Sequence, residues 1–295
     1  QNLEGCEQTV EKLGSLFNCF PEDSFIALAY AKGLVSLSAE QDLSGREQTV
    51  EKLSNLFSRF PENSSIALKY AKGLVNLSAQ QDLSGCEHTV KELANLSSRF
   101  PADSSIALEY AKGLFNLTVD QNLEGCEHTV KELANLSSRF PADSSIALEY
   151  AKGLFNLTVD QNLEGREQTV ERLANLSSQF PADSSIALAY AKGLVNLSAQ
   201  QDLSDRQASE KRLSTLFSHF PDNADIALVY AKFLTNLGNK SEPSKCEAIA
   251  GQLEELLNQF PESIGIAEQA ARLQLIIGEK SEGDEATKVA FAQAL

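Results

Sequence analysis

The chain is predicted to be all-α: a right-handed α-solenoid of stacked helix-turn-helix hairpins with about 14 to 15 helices. Three observations carry this. The sequence repeats with a period of 40 residues, two apolar stripes at helical spacing fall within each period, and a proline separates them. Blocks open at Gln1, Gln41, Gln81, Gln121, Gln161, Gln201 and Ser241, and the phrase ExTVxxLxxLxxxFPxxSxIALxYAKGLxNLS returns closely in the first five and recognisably in the last two. Repeats of this length signal an array in which each unit packs only on its neighbours. Residues 1–295 are therefore read as one repeat domain, with blocks 1–40, 41–80, 81–120, 121–160, 161–200, 201–240 and 241–280 and a capping helix over 281–295.

Within the block at Gln41, Val50, Leu53, Leu56, Phe57 and Phe60 line one face of a helix. Pro61 ends it, because the residue before a proline is pushed out of the helical region. Asn63, Ser64 and Ser65 supply candidate N-caps for the next helix, whose stripe is Ile66, Ala67, Tyr70, Ala71, Leu74 and Leu77. The following link shows no strand alternation, and Ser84-Gly85 is read as the start of the next helix. Leu83 and its equivalents Leu3, Leu43, Leu123, Leu163 and Leu203 are expected to tuck that link onto the core. Gly33, Gly73, Gly113, Gly153 and Gly193 lie inside the second stripe, where glycine costs about 1 kcal/mol relative to alanine. Close helix approach would offset that cost, and Phe233 in the sixth copy implies altered packing there.

Composition narrows the function classes. The formal net charge is -16, which argues against binding nucleic acid by phosphate neutralisation, and no apolar run approaches the ~20 residues of a membrane span. Methionine is absent and the chain opens within a repeat, so a piece of a longer protein is expected. Cys6, Cys86, Cys126 and Cys246 share one repeat position, held elsewhere by Arg46, Arg166 and Arg206. Equivalent atoms of stacked units stand about 8–10 Å apart, too far for a disulfide. Free thiols and a reducing, cytoplasmic setting follow as expectations.

No catalytic constellation, metal site or cofactor motif is found. His88 and His128 each stand two residues from a cysteine, which offers two ligands where zinc wants four that converge. NLS and NLT triplets fall in predicted helices and are read as coincidental glycosylation matches.

The spacing resembles tetratricopeptide repeats. Thr49, Leu53, Leu56, Phe57 and Pro61 sit where that family has a small residue, an aromatic, an Ala-Leu pair and its terminal proline, and Ala67, Tyr70, Ala71 and Leu74 fall at its tryptophan, leucine, glycine and tyrosine. The tryptophan and glycine are absent, and the unit is about six residues longer than the usual 34, a surplus placed between the helices. The resemblance implies that the helix carrying Leu68, Lys72, Val75 and Asn76 lines a concave, peptide-binding surface.

Along that stripe a lysine recurs as Lys32, Lys72, Lys112, Lys152, Lys192 and Lys232, and an asparagine as Asn76, Asn116, Asn156, Asn196 and Asn236. Leu68, Leu108 and Leu148, with Phe115 and Phe155, add apolar contact. Lysines suit carboxylates, and asparagines suit an extended backbone. The expected partner is an acidic peptide or protein patch, and specificity is assigned to the varying position Ala29, Lys69, Glu109, Glu149, Ala189 and Val229. The competing reading has the lysines neutralise neighbours such as Glu109 and Glu149. A non-catalytic interaction scaffold is the leading function. The alternatives are a regulatory region of a larger enzyme or signalling protein, and a solenoid that self-associates end to end.

Overall fold

The computed structural model describes residues 3–119 and 121–294, and the side chains of these except 203–204, 243–244 and 281–294. Fourteen helices and no strand occur among the described residues: α1 Leu3–Cys19, α2 Ser24–Glu40, α3 Leu43–Arg59, α4 Ser64–Ser78, α5 Leu83–Arg99, α6 Ser104–Thr118, α7 Leu123–Arg139, α8 Ser144–Asp160, α9 Leu163–Gln179, α10 Ser184–Ser198, α11 Leu203–His219, α12 Ala224–Asn239, α13 Pro243–Gln259 and α14 Ile264–Ala294. The fold is an α-solenoid of successive helical hairpins. Two compact units divide it, Gln1–Leu157 and Thr158–Leu295.

Local sequence sets most of the helix starts. Asp23, Asn63, Asp103, Asp183 and Asn223 cap the even-numbered helices, their side chains accepting from backbone N–H groups of the first turn. Asp42, Asp82, Asn122 and Asn162 do the same for odd-numbered helices, each accepting from a glycine N–H at 2.8–2.9 Å. Each such cap contributes about 1 kcal/mol. These helices thus begin two residues earlier than Ser84-Gly85 suggests. Leu83 opens α5 and is 37% exposed, so the expected loop anchor is instead a solvent-facing first residue, as are Leu3, Leu43, Leu123 and Leu163. Leu203 lies outside the described side chains.

Two further expectations are corrected. The surplus of the long unit is not in a loop: residues 60–63 and 79–82 alone link α3 to α4 and α4 to α5, and the extra length goes into helices of 17 and 15 residues. The C-terminal segment is no separate helix but the continuation of α14, a helix of 31 residues. How its far end packs lies outside the described side chains.

In the first unit α2 packs on α4 and α4 on α6, while each also packs on the odd-numbered helices flanking it. In the second unit α10 packs on α12 and α12 on α14. The even row is therefore the tighter one. Successive odd helices meet through long side chains instead. The Phe57 ring lies 6.3 Å from that of Phe100, Arg99 bonds Glu62 at 2.9 Å, and Arg139 donates to Ser97 at 2.6 Å. Leu53, Ile66, Leu93, Ile106, Leu133 and Ile146 are fully buried between the rows. None of the cysteines forms a disulfide.

Glycine permits the approach of even helix to odd. A Cβ on Gly73 would stand 2.5 Å from Leu53 Cδ1, and one on Gly113 would stand 2.4 Å from Leu93 Cδ1. Gly153 and Gly193 meet Leu133 and Leu173 in the same way, at 2.7 and 2.8 Å. Replacing Gly113 by Ala is expected to destabilise by about 1–3 kcal/mol through overpacking, despite alanine's better helix propensity. Gly278→Ala, where no atom lies within 4 Å, should stabilise by up to about 1 kcal/mol. Urea denaturation of both variants checks this, and shifts of the same sign would refute the contact account.

Burial, then the nearby Glu132 carboxylate, raise Tyr110 to about 12, against a smaller opposing pull from Arg139. Tyr110 binds its proton more tightly folded than unfolded. Its contribution is therefore whole below about pH 10, the unfolded value, and is lost as pH rises through about 12. The urea midpoint of the native chain should consequently fall further between pH 9 and pH 11 than that of Tyr110→Phe, the two being measured side by side.

Candidate functional site

The even-numbered helices turn one stripe away from the odd row. On α4 this stripe is Leu68, Lys69, Lys72, Val75 and Asn76, all half-buried, while Ile66, Ala67, Tyr70, Ala71 and Leu74 are covered. The same register brings Leu108, Lys112, Phe115 and Asn116 together on α6, and Leu148, Lys152, Phe155 and Asn156 on α8, again half-buried. Lys32, Lys192 and Lys232 are exposed. Leu68 and Val75 pack their inner edges on the core, so each contributes both to the stack and to its surface.

The asparagines do different work from that expected of a peptide-binding ladder. Asn76 Nδ2 donates to Ser38 Oγ at 2.8 Å, Asn116 to Ser78 and Asn156 to Thr118, both at 2.9 Å, and in the second unit Asn196 donates to Thr158 at 2.9 Å. Each bond ties one even helix to the even helix before it. The amide donors are therefore engaged inside the stack, because the interhelix spacing there matches one side-chain hydrogen bond. Asn236 is exposed and makes no such bond.

The lysines divide into two groups. Lys112 Nζ lies 3.0 Å from Glu109 Oε1 and Lys152 Nζ 2.9 Å from Glu149 Oε1, and the Lys152 ammonium also sits 5.4 Å from the centre of the Phe115 ring. Lys32, Lys72 and Lys232 form no ion pair among the described residues. Lys69 is held below its ordinary value, first by burial, then by repulsion from Lys72 and Lys32, with Glu109 pulling the other way. The first two even helices thus share a positive field, and a carboxylate answers it from the third.

The position assigned to specificity faces the stack. Glu109 is 4% exposed and Glu149 6%, Ala189 and Val229 are buried, and Lys69 and Ala29 are half-covered. Its variation follows what neighbouring rungs place beside it, as the Lys69–Glu109 attraction illustrates. Four of its six members are buried. The physical reason is that an even helix has even neighbours on both sides, so only a narrow stripe escapes burial.

Sequence reasoning missed a second set of polar residues. Arg46 Nε donates to Gln41 O at 2.9 Å, its Nη2 to Ala39 O at 3.2 Å, and its Nη1 to Asn76 O on α4. Arg166 spans Val159 O and Asn196 O in the same manner. These guanidinium groups clamp the carbonyl ends of even helices, with Gln41 held in turn by Thr49 Oγ1 at 2.7 Å. A signal was present: an arginine in the first turn of a helix carries the wrong sign for that end of the dipole, and so needs another use. Among the described residues no cluster of three or more His, Cys, Asp or Glu side chains is placed to hold a metal ion, and no helix is long and apolar enough to cross a membrane.

No protein-family model matches the chain, and no curated protein matches it.

The Asn116–Ser78 bond predicts energetic coupling between α6 and α4. Asn116→Ala and Ser78→Ala should each cost about 1 kcal/mol, and the double variant should cost less than their sum. Strict additivity in urea titrations would show that the bond does not tie the helices.

Proposed function

We propose that the chain is a non-catalytic interaction scaffold, similar in kind to tetratricopeptide proteins, that holds an acidic, partly apolar peptide or protein segment along its even-numbered helices. The observation that carries this reading is the stripe itself. One ammonium group and one or two apolar side chains per rung stay within reach of solvent, on an otherwise acidic molecule. Within each unit the even helices pack directly on one another, so an extended ligand lying across them gains contacts from several rungs at once. Apolar contact supplies most of the binding energy of such a groove, and the charges set orientation and partner sign. Leu68, Leu108, Leu148, Phe115 and Phe155 fill the first role.

The lysines that make no ion pair fill the second. Lys72, beside Lys32 and Lys69, offers an unneutralised positive field to a carboxylate, whereas Lys112 and Lys152 bring their own counter-ions. Binding is expected to centre on the first rungs for this reason. The alternating helices, small residues at the helix crossings and Pro61-type stops support the family likeness, and the longer helices mark the departure from it.

A peptide library displayed against the immobilised chain tests the reading. Selected peptides should be enriched in Asp and Glu interspersed with apolar residues, and should bind Lys32→Glu/Lys72→Glu/Lys232→Glu about tenfold or more weakly, since two or more charged contacts are lost. Lys12→Glu/Lys52→Glu/Lys91→Glu makes the same charge change on exposed positions of odd-numbered helices and should bind as the native chain does. Equal loss in both variants would reduce the effect to overall charge, and no loss in the first would remove the face from consideration.

A further inference from the structure

The stack departs from its own rule at one rung. Between α10 and α12 neither polar clasp is made. Ser198 Oγ donates to Val195 O at 2.8 Å and receives nothing from Asn236, although each of four other asparagines reaches its Ser or Thr partner. Arg206 keeps two of the usual guanidinium bonds, Nε to Gln201 O at 2.9 Å and Nη2 to Ala199 O at 3.4 Å. The third, which Arg46 and Arg166 make to Asn76 O and Asn196 O, has no counterpart to Asn236 O.

The same rung departs from the glycine series. Phe233 stands where Gly73, Gly113, Gly153 and Gly193 let an even helix settle against its neighbour. The phenyl ring is 1% exposed and occupies the space that the glycine leaves for close approach. Here α12 packs less extensively on α10 than α6 does on α4, and a cavity of about 210 Å³ lies at this rung, lined by Ser198, Arg206, Phe233, Asn236, Leu237 and Lys240 among others.

The chemistry of the lining selects a ligand. Arg206 is only 6% exposed, and among the described residues Nη1 meets no protein acceptor, so an entering anion finds an unused donor on a largely covered charge. The Asn236 amide adds a neutral donor and Lys240 a second positive charge. The ends of α10 and α12 each contribute roughly half a negative charge, leaving the cavity positive by about one unit. Phe233 and Leu237 form an apolar wall. A planar anion on a short aliphatic stem matches these surroundings.

We propose that this cavity binds a carboxylate, with one oxygen on Arg206 Nη1 and the other on Asn236 Nδ2. The carboxylate is that of an acidic side chain or of a chain terminus. The proposal stands on this rung alone and holds whether or not the lysine stripe carries a partner.

Titration of the isotopically labelled full chain, read by ¹⁵N–¹H spectra at the Asn236 side-chain amide and the Arg206 Nε–H, tests it. N-acetylglutamate α-amide carries only the side-chain carboxylate, N-acetylglutamine only the terminal one, and N-acetylglutamine amide neither. At least one of the first two should give saturable shifts at both groups, the neutral amide should give none, and the stronger of the two names the source. Asn236→Ala, at an exposed position that holds no bond in the fold, should weaken that binding about tenfold at the Arg206 signal, and Lys240→Gln should weaken it by a smaller factor. Absence of saturation with both acids, equal shifts from the neutral amide or from sulfate at matched ionic strength, or unchanged affinity in Asn236→Ala would overturn the assignment.

Discussion

The closeness with which an even-numbered helix presses on the odd-numbered helix before it governs what the rest of each unit can do. Glycine at Gly73, Gly113, Gly153 and Gly193 brings backbone against leucine methyl groups at distances that no Cβ would tolerate. At that spacing the next even helix lies one hydrogen bond away, so Asn76, Asn116 and Asn156 reach across to Ser38, Ser78 and Thr118. The helix ends come within range of a single guanidinium, which Arg46 and Arg166 supply. Apolar burial supplies the driving force. The polar clasps fix the register at which that burial occurs, since a slipped register would strand each asparagine and serine without a partner.

The same spacing limits what remains for a ligand. A helix flanked by even neighbours, and backed by odd ones, leaves only the stripe of Leu68, Lys72 and Val75 and its equivalents within reach of solvent. The charges beside that stripe are partly internal. Glu109 and Glu149 are buried and bind Lys112 and Lys152, so the middle rungs are neutralised from within while Lys32, Lys69 and Lys72 reinforce one another. An array of near-identical repeats thereby acquires distinct rungs by changing one buried position. On the rung that carries Phe233 both clasps are missing among the described residues, and polar groups that elsewhere serve the fold line a cavity.

Much of the architecture was legible because helices obey local rules. The two stripes, the stop at Pro61 and the cap, which falls on Asn63 of the three candidates, each depend on residues near one another in the chain, and the structure has all of them. The start of the odd helices is ambiguous in sequence, since Ser84 and Asp82 are both N-capping residue types. Only the hydrogen bond from Gly85 N–H to Asp82 Oδ1 distinguishes them. Leu83 differs from the expected anchor because apolar character does not reveal whether a residue opening a helix points inward or out.

The repeated lysine, asparagine and apolar residues were visible in the chain as a stripe, since a helical face is a matter of spacing alone. Which members of the stripe face solvent was not visible, because that depends on how near the adjacent rung stands, and the adjacent rung is 40 residues away. Chain order thus established the helices, their pairing and the amphipathic faces, all consequences of backbone geometry and short-range caps. Packing assigned the asparagines to the stack, the varying position to its interior and the arginines to the helix ends, because burial and hydrogen-bond partnership are set by interhelix distance.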